Sequence, residues 1–189
     1  MGLSYDHEVA GGKYGRTDTP EFAALNPNRR VPVLIEGDFV LWESHAILRY
    51  LAEDPGAKAR LIPEDRHARA RMAQWLEYTT GTVQPPFIAL FWQFVRLPID
   101  KRDPSAVAGH RENLDRALGV LDAALQTDPW LAGEGFSLAD IAAGSLMHRI
   151  TDLDLVPKGL AGLSRWIEAI RARPGYQAHI GVSYDELRA

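Results

Sequence analysis

The sequence predicts two domains of different class: a small mixed α/β domain over about residues 1–53 and an all-helical domain over about 64–189, with a linker at 54–63. Three observations carry that reading. The runs "VPVLI" and "FVLWE" alternate about Glu36-Gly37-Asp38 as two strands of a hairpin do. Strand signals vanish after "EDPGAKARLIPED", where Pro55, Gly56 and Pro63 stop regular structure. Beyond that stretch, apolar residues recur at three-and-four spacing, the period of an amphipathic helix.

Taken in order, "LSYDHEV" at 3–9 alternates loosely and reads as a short strand. "GGKYGRTDTPEFAAL" supplies flexible glycines, then Asp18 or Thr19 as a cap for a short helical turn holding Pro20 and Glu21. In the hairpin, Gly37 provides the positive backbone angle that a tight turn requires. From Ser44, the spacing of Ala46, Ile47, Tyr50 and Leu51 predicts an amphipathic helix.

In the second domain, residues 64–96 read as one long helix kinked or broken at Pro85 and Pro86, where a donor is lost and the ring clashes. Asp103 and Pro104 open a helix over 104–126 that stacks Leu114, Leu118, Leu121 and Leu125 on one face. Two more helices follow, at 137–150 and at 163–173, the latter burying Leu163, Trp166, Ile167 and Ile170.

With 46% apolar and 24% charged residues, the 189-residue chain has an ordinary globular composition, which excludes disordered and fibrous classes. A net charge of −4 offers no footprint for nucleic acid, and the basic cluster Arg60, Arg66, Arg69 and Arg71 is interleaved with Ala, as on a solvated helix face or subunit contact. The absence of cysteine rules out a disulfide framework, a thiolate zinc site and a cysteine nucleophile among these residues, and fits a reducing compartment. "FIALFW" is too short to span a bilayer, and the start lacks a signal-peptide pattern, so a cytoplasmic protein without membrane partners is expected.

Pro32 argues for a strand start or edge whose backbone is offered to something else. A cis bond, which costs little only before proline, would turn the backbone N–H and C=O of Val31 towards an extended peptide; the plainer role is an edge proline that discourages aggregation. Glu43 and Ser44 precede a helix, whose N-terminus carries roughly half a positive charge and favours an anion. Ser44 as an N-cap stabilises the helix by about 1 kcal/mol. With Glu43 taking an ammonium and Ser44 plus the helix amides a carboxylate, the pair suits a zwitterion. An extended peptide with a free amino-acid head group is the shape of glutathione.

"PEFAALNPNRRVPVLIEGDFVLWESHAILRYLAE" resembles the N-terminal domain of the glutathione transferases, a thioredoxin-like fold, in its Asn-Pro to Val-Pro spacing, its hairpin and its Glu-Ser helix start. The resemblance implies that Val31 pairs with the cysteinyl backbone, that Pro32 is cis, and that Glu43 with Ser44 holds the γ-glutamyl group. It further implies that Arg30 reaches the glycyl carboxylate. "WLAGEGFSLADIAAGSLMHRI" resembles a helix-starting segment of the family's C-terminal domain, and Ser137 with Asp140 makes a Ser-x-x-Asp cap, with Phe136 and Ile141 placed as a hydrophobic staple. Asp140 is accordingly read as structural.

The family's activating Ser, Tyr or Cys follows its first strand, whereas this sequence matches from the second strand onward, so truncation, a misassigned start, or another segment covering the gap is expected. Ser4 and Tyr5 fall within the expected strand and make poor substitutes, leaving the catalytic residue unassigned. Glu43, Ser44 and His45 are sequence neighbours that cannot face one another as a triad; no histidine pair has metal spacing, and "DLDL" lacks the rest of a calcium loop. "PPFIALFWQFVRLP" offers Phe87, Phe91 and Trp92 as the lining of a site for a hydrophobic electrophile, although core packing explains any one of them.

The resemblance thus implies a homodimeric transferase of detoxification type that uses glutathione as co-substrate and no metal. The alternative is a non-catalytic module of the same fold that binds ligands or proteins.

Overall fold

The computed structural model describes residues 2–57 and 60–188; Lys58 and Ala59 of the expected linker lie outside the described residues. Two compact units meet in sequence between Ile62 and Pro63.

In the first unit, residues 2–10 form no strand, contrary to the alternation at 3–9. A strand persists only when its backbone groups find a ladder, and the sheet among the described residues has two strands, both further on. A bond from Arg16 to Glu8 at 2.8 Å ties this leading segment to the turn after it. Helix α1, Pro20–Leu25, starts at Thr19, whose hydroxyl accepts from the Phe22 amide at 3.2 Å.

Strands β1, Val33–Glu36, and β2, Phe39–Trp42, pair antiparallel in the register Val33↔Trp42 and Glu36↔Phe39. Gly37, at φ 58°, opens the two-residue loop this register leaves. The ladder is shorter than the runs "VPVLI" and "FVLWE": Val31, Pro32 and Glu43 lie just outside it. Helix α2, Ser44–Glu53, packs on the face of the hairpin that carries Glu36 and Phe39. There the Tyr50 ring lies 5.1 Å from that of Phe39, and its hydroxyl donates to Glu36 Oε2 at 2.6 Å.

In the second unit, Asp65 caps α3, Arg66–Tyr78, by accepting from the Ala68 amide at 2.8 Å. Arg66, Arg69 and Arg71 lie on its exposed face. The expected kink or break at Pro85 and Pro86 takes another form. A π-helical turn at Thr79–Val83 leads into α4, Gln84–Phe91, so both prolines fall in the first turn of a helix, where their missing donors are not required. A second π-turn, Trp92–Arg96, ends the segment.

Helix α5, Pro104–Leu125, is capped by Asp103 and fully buries Leu114, Leu118, Leu121 and Leu125. Helix α6, Leu138–Asp152, packs against α3, and α7, Ala161–Arg171, packs against α5 and α6 and buries Leu163, Trp166, Ile167 and Ile170. Gly162 permits the closest approach: a β-carbon there would meet the Leu125 carbonyl carbon at 2.8 Å. Asp122 of α5 accepts from the Leu163 amide at 2.9 Å, capping α7 from across the contact. A short helix α8, Pro174–His179, precedes the C-terminal segment.

Asp140 links three segments of this unit. Its Oδ2 accepts from the amide and hydroxyl of Ser137, completing a capping box, while its Oδ1 accepts from the Leu131 amide at 3.0 Å and Trp166 Nε1 at 2.8 Å. Burial pushes its carboxyl above the usual range and outweighs those donated hydrogen bonds, which pull the other way.

Candidate functional site

The loop after α1 is organised by one buried side chain. Asn26, 3% exposed, donates through Nδ2 to the Arg30 carbonyl at 2.8 Å and accepts through Oδ1 from the Asn28 amide at 2.9 Å. The second bond is an Asx-turn, the local alternative to a backbone turn that Asn favours. The Arg29 amide closes the same turn on the Asn26 carbonyl at 2.9 Å and carries a positive φ of 53°.

Out of this loop come Arg30, Val31 and Pro32, all exposed. The Val31–Pro32 bond is cis. Val31 is 52% exposed, and its main chain lies ahead of the ladder that begins at Val33.

The hairpin register brings the remaining expected residues to the same end. With Val33 opposite Trp42, the residue before β1 and the residue after β2 emerge side by side, so Pro32 and Glu43 are neighbours across the hairpin. Glu43 has φ 74° and ψ 115°, a backbone region that a residue with a β-carbon occupies only under strain. This departs from the reading of Ser44 as N-cap: Glu43 holds that position without a capping bond from its side chain, and Ser44 is already helical. The start of α2 thus carries the exposed Glu43 carboxylate and Ser44 hydroxyl at a helix N-terminus, the end of a helix that favours an anion.

The structure separates the three aromatic residues expected to line an apolar site. Phe87, 1% exposed, and Phe91, 6% exposed, pack with ring centroids 5.9 Å apart inside the helical unit, so neither lines an open surface. The reason is local: Phe87 lies on the inward face of α4, and Phe91 is covered by Tyr184, 5.6 Å away. Trp92, 55% exposed, presents its ring, with the Arg96 guanidinium 5.8 Å from the centroid. Ser4 and Tyr5 are exposed and lie in neither strand nor helix. Among the described residues, no group of three or more His, Cys, Asp or Glu gathers as metal ligands.

The loop clamp is what sequence reasoning missed. Asn26 stands in the quoted "NPNRRVP" as half of a spacing, and the signal for its role was an Asn at a turn two residues before another amide donor.

The model of the glutathione S-transferase N-terminal domain matches residues 1–53, and that of the C-terminal domain matches residues 83–174. Glutathione S-transferase GstB of Escherichia coli strain K12 is 32% identical over 174 residues, 91% of this chain and 83% of that protein. Glutathione S-transferase 3 of Zea mays is 35% identical over 93% of this chain and 82% of its own length. Among solved structures, the theta class glutathione S-transferase of Xanthomonas axonopodis pv. citri with glutathione bound superposes with a TM-score of 0.89. It is 37% identical, with 96% of this chain and 87% of that one covered.

Proposed function

The chain belongs to the glutathione S-transferase family, and from that premise we propose that it joins glutathione to hydrophobic electrophiles. Its first unit is thioredoxin-like with a short two-stranded sheet, and its second is all-helical, as in solved members. The observation that carries the reading is the convergence of the exposed main chain at Val31 and the start of α2 at one end of the hairpin.

In this reading the cysteinyl residue of glutathione lies along the main chain of Val31, one N–H and one C=O exchanged in each direction, as an added strand would pair. The γ-glutamyl carboxylate docks on the first amides of α2 and the Ser44 hydroxyl, and its ammonium on Glu43. Arg30 takes the glycyl carboxylate. The thiol loses its proton, sulfur attacks the electrophilic carbon, a C–S bond forms and the leaving group departs with its electron pair. Trp92 offers the exposed apolar ring for the electrophile, and two copies of the chain assemble as a homodimer in the cytoplasm. No helix among the described residues is long and apolar enough to cross a membrane.

Binding without turnover is the second reading, and one observation favours it: Ser4 and Tyr5 are exposed residues of an irregular segment, with Tyr5 76% exposed, and no strand or helix holds either in place. Calorimetric titration with glutathione, paired with turnover of 1-chloro-2,4-dinitrobenzene, separates the two. Binding with turnover supports transfer, binding alone supports the module, and no binding removes both.

A further inference from the structure

We propose that Arg96 is a specificity-determining residue for the transfer reaction, and that it selects aromatic electrophiles carrying a carboxylate. The inference rests on the assignment of Trp92 to the electrophile and names the substrate class which that site takes.

Trp92 and Ile88 make an apolar platform at the surface of the helical unit. The indole is 55% exposed, and Ile88, 39% exposed and four residues earlier, extends it along the same face of the segment. Two large side chains left this open forgo the burial that Phe87 and Phe91 of the same helix obtain. An aromatic ring laid offset on the indole, centroids about 5 Å apart, recovers part of it.

A cation stands at the edge of this platform. Arg96 is exposed, its guanidinium 5.8 Å from the Trp92 centroid. The π-turn Trp92–Arg96, closed by the Leu97 amide on the Trp92 carbonyl at 2.9 Å, holds both residues on one wide turn. Among the described residues the Arg96 guanidinium meets no carboxylate and no hydrogen-bond acceptor, only the indole. The neighbouring charges are otherwise engaged: Asp100 lies 3.8 Å from Lys101, and Arg102 donates to the Phe94 carbonyl at 3.0 Å.

Shape and charge together specify the ligand. An indole face stacks any flat ring, but a guanidinium beside it is best met by an anion in the plane of that ring. A carboxylate on the stacked ring accepts two N–H bonds from the guanidinium fork, the arrangement a planar cation favours. A neutral ring of the same size gains the stacking alone. In the reaction the glutathione thiol gives its proton to solvent, and sulfur attacks the chlorine-bearing carbon of such a ring. The C–S bond forms and chloride leaves with its electron pair. The carboxylate is unchanged, so Arg96 acts on the choice of substrate and not on the reacting atoms.

The test compares 4-chloro-3,5-dinitrobenzoate with its neutral amide, 4-chloro-3,5-dinitrobenzamide, in the full chain, Arg96→Gln and Arg96→Lys. Arg96→Gln is expected to lower the acid-to-amide ratio of kcat/KM about fivefold, through KM for the acid, and Arg96→Lys, which keeps the charge without the fork, to restore part of it. Comparing ratios between variants cancels the intrinsic difference in reactivity of the two electrophiles. A second arm needs no turnover: quenching of tryptophan fluorescence, without glutathione, by 3,5-dinitrobenzoate and 3,5-dinitrobenzamide, which lack the leaving group. The full chain is expected to bind the benzoate about fivefold more tightly than the amide, a preference that shrinks as KCl is raised, and Arg96→Gln to bind the two equally. A kcat/KM ratio indifferent to Arg96→Gln, or equal binding of both compounds by the full chain, overturns the proposal. Turnover without preference for the acid leaves the transfer reading standing and sinks this one, whereas preference for the acid in binding without turnover does the reverse.

Discussion

Val33 stands opposite Trp42 in the hairpin ladder, and that single pairing sets Pro32 beside Glu43. Strand neighbours are separated by roughly 5 Å, so the main chain ahead of β1 and the start of α2 share one small surface. A two-residue loop at Gly37 and Asp38 fixes this register, since any slip would exchange the faces of both strands. The candidate glutathione site follows from turn chemistry as much as from the residues that touch the ligand.

Glu43→Gly is expected to separate stability from binding. The positive φ of 74° costs a residue with a β-carbon about 1–3 kcal/mol, and glycine removes that cost while loosening the unfolded chain by about 1 kcal/mol. Thermal melting should show stability unchanged or slightly raised. Calorimetry should show glutathione affinity reduced about tenfold or more through loss of the carboxylate.

Asn26→Ala removes both clamps on the loop that leads to Val31, the bonds to the Arg30 carbonyl and from the Asn28 amide. A loss of about 1–3 kcal/mol in urea denaturation is expected, together with weaker glutathione binding although Asn26 is assigned no contact with the ligand.

The hairpin, the helix at Ser44 and the leucine face of α5 were legible because each depends on short-range period or turn chemistry. Asp140 was legible as a cap for the same reason, but its bonds to Leu131 and Trp166, 9 and 26 residues away, carry no local signal. The segment at 3–9 shows the converse: its alternation describes a strand, but alternation cannot supply the neighbouring ladder that holds one. Phe91 read as pocket lining because periodicity identifies apolar residues without saying what covers them, and what covers it is Tyr184, 93 positions on in the numbering (184 − 91).

Asp140→Ala is expected to destabilise the helical unit by about 3 kcal/mol or more, since the amides of Leu131 and Ser137 and the indole N–H of Trp166 lose their buried acceptor. The measurement is denaturant unfolding followed through tryptophan fluorescence.

Asp140 also has a pH signature. Burial raises its pKa in the folded protein above the unfolded value of 3.8, so the folded state holds the proton over a wider range. Its contribution is most favourable below the unfolded pKa and is lost as pH rises through the folded one. Relative to Asp140→Asn, which does not titrate, the parent protein should gain stability as pH falls through that window. A difference flat with pH, measured by unfolding at several acid pH values, would contradict the assignment.

Trp92→Ala is expected to raise KM for an apolar electrophile severalfold while glutathione affinity holds, because the exposed indole belongs to the helical unit and is assigned no contact with the tripeptide. Steady-state kinetics with each substrate varied in turn reads this split.

The most direct test is a crystal structure of the chain with glutathione bound. The predicted result is a tripeptide whose cysteinyl main chain pairs with Val31 and whose γ-glutamyl group contacts Glu43, Ser44 and the first amides of α2. Glutathione seated on other residues, or that surface empty at millimolar ligand, would contradict the site.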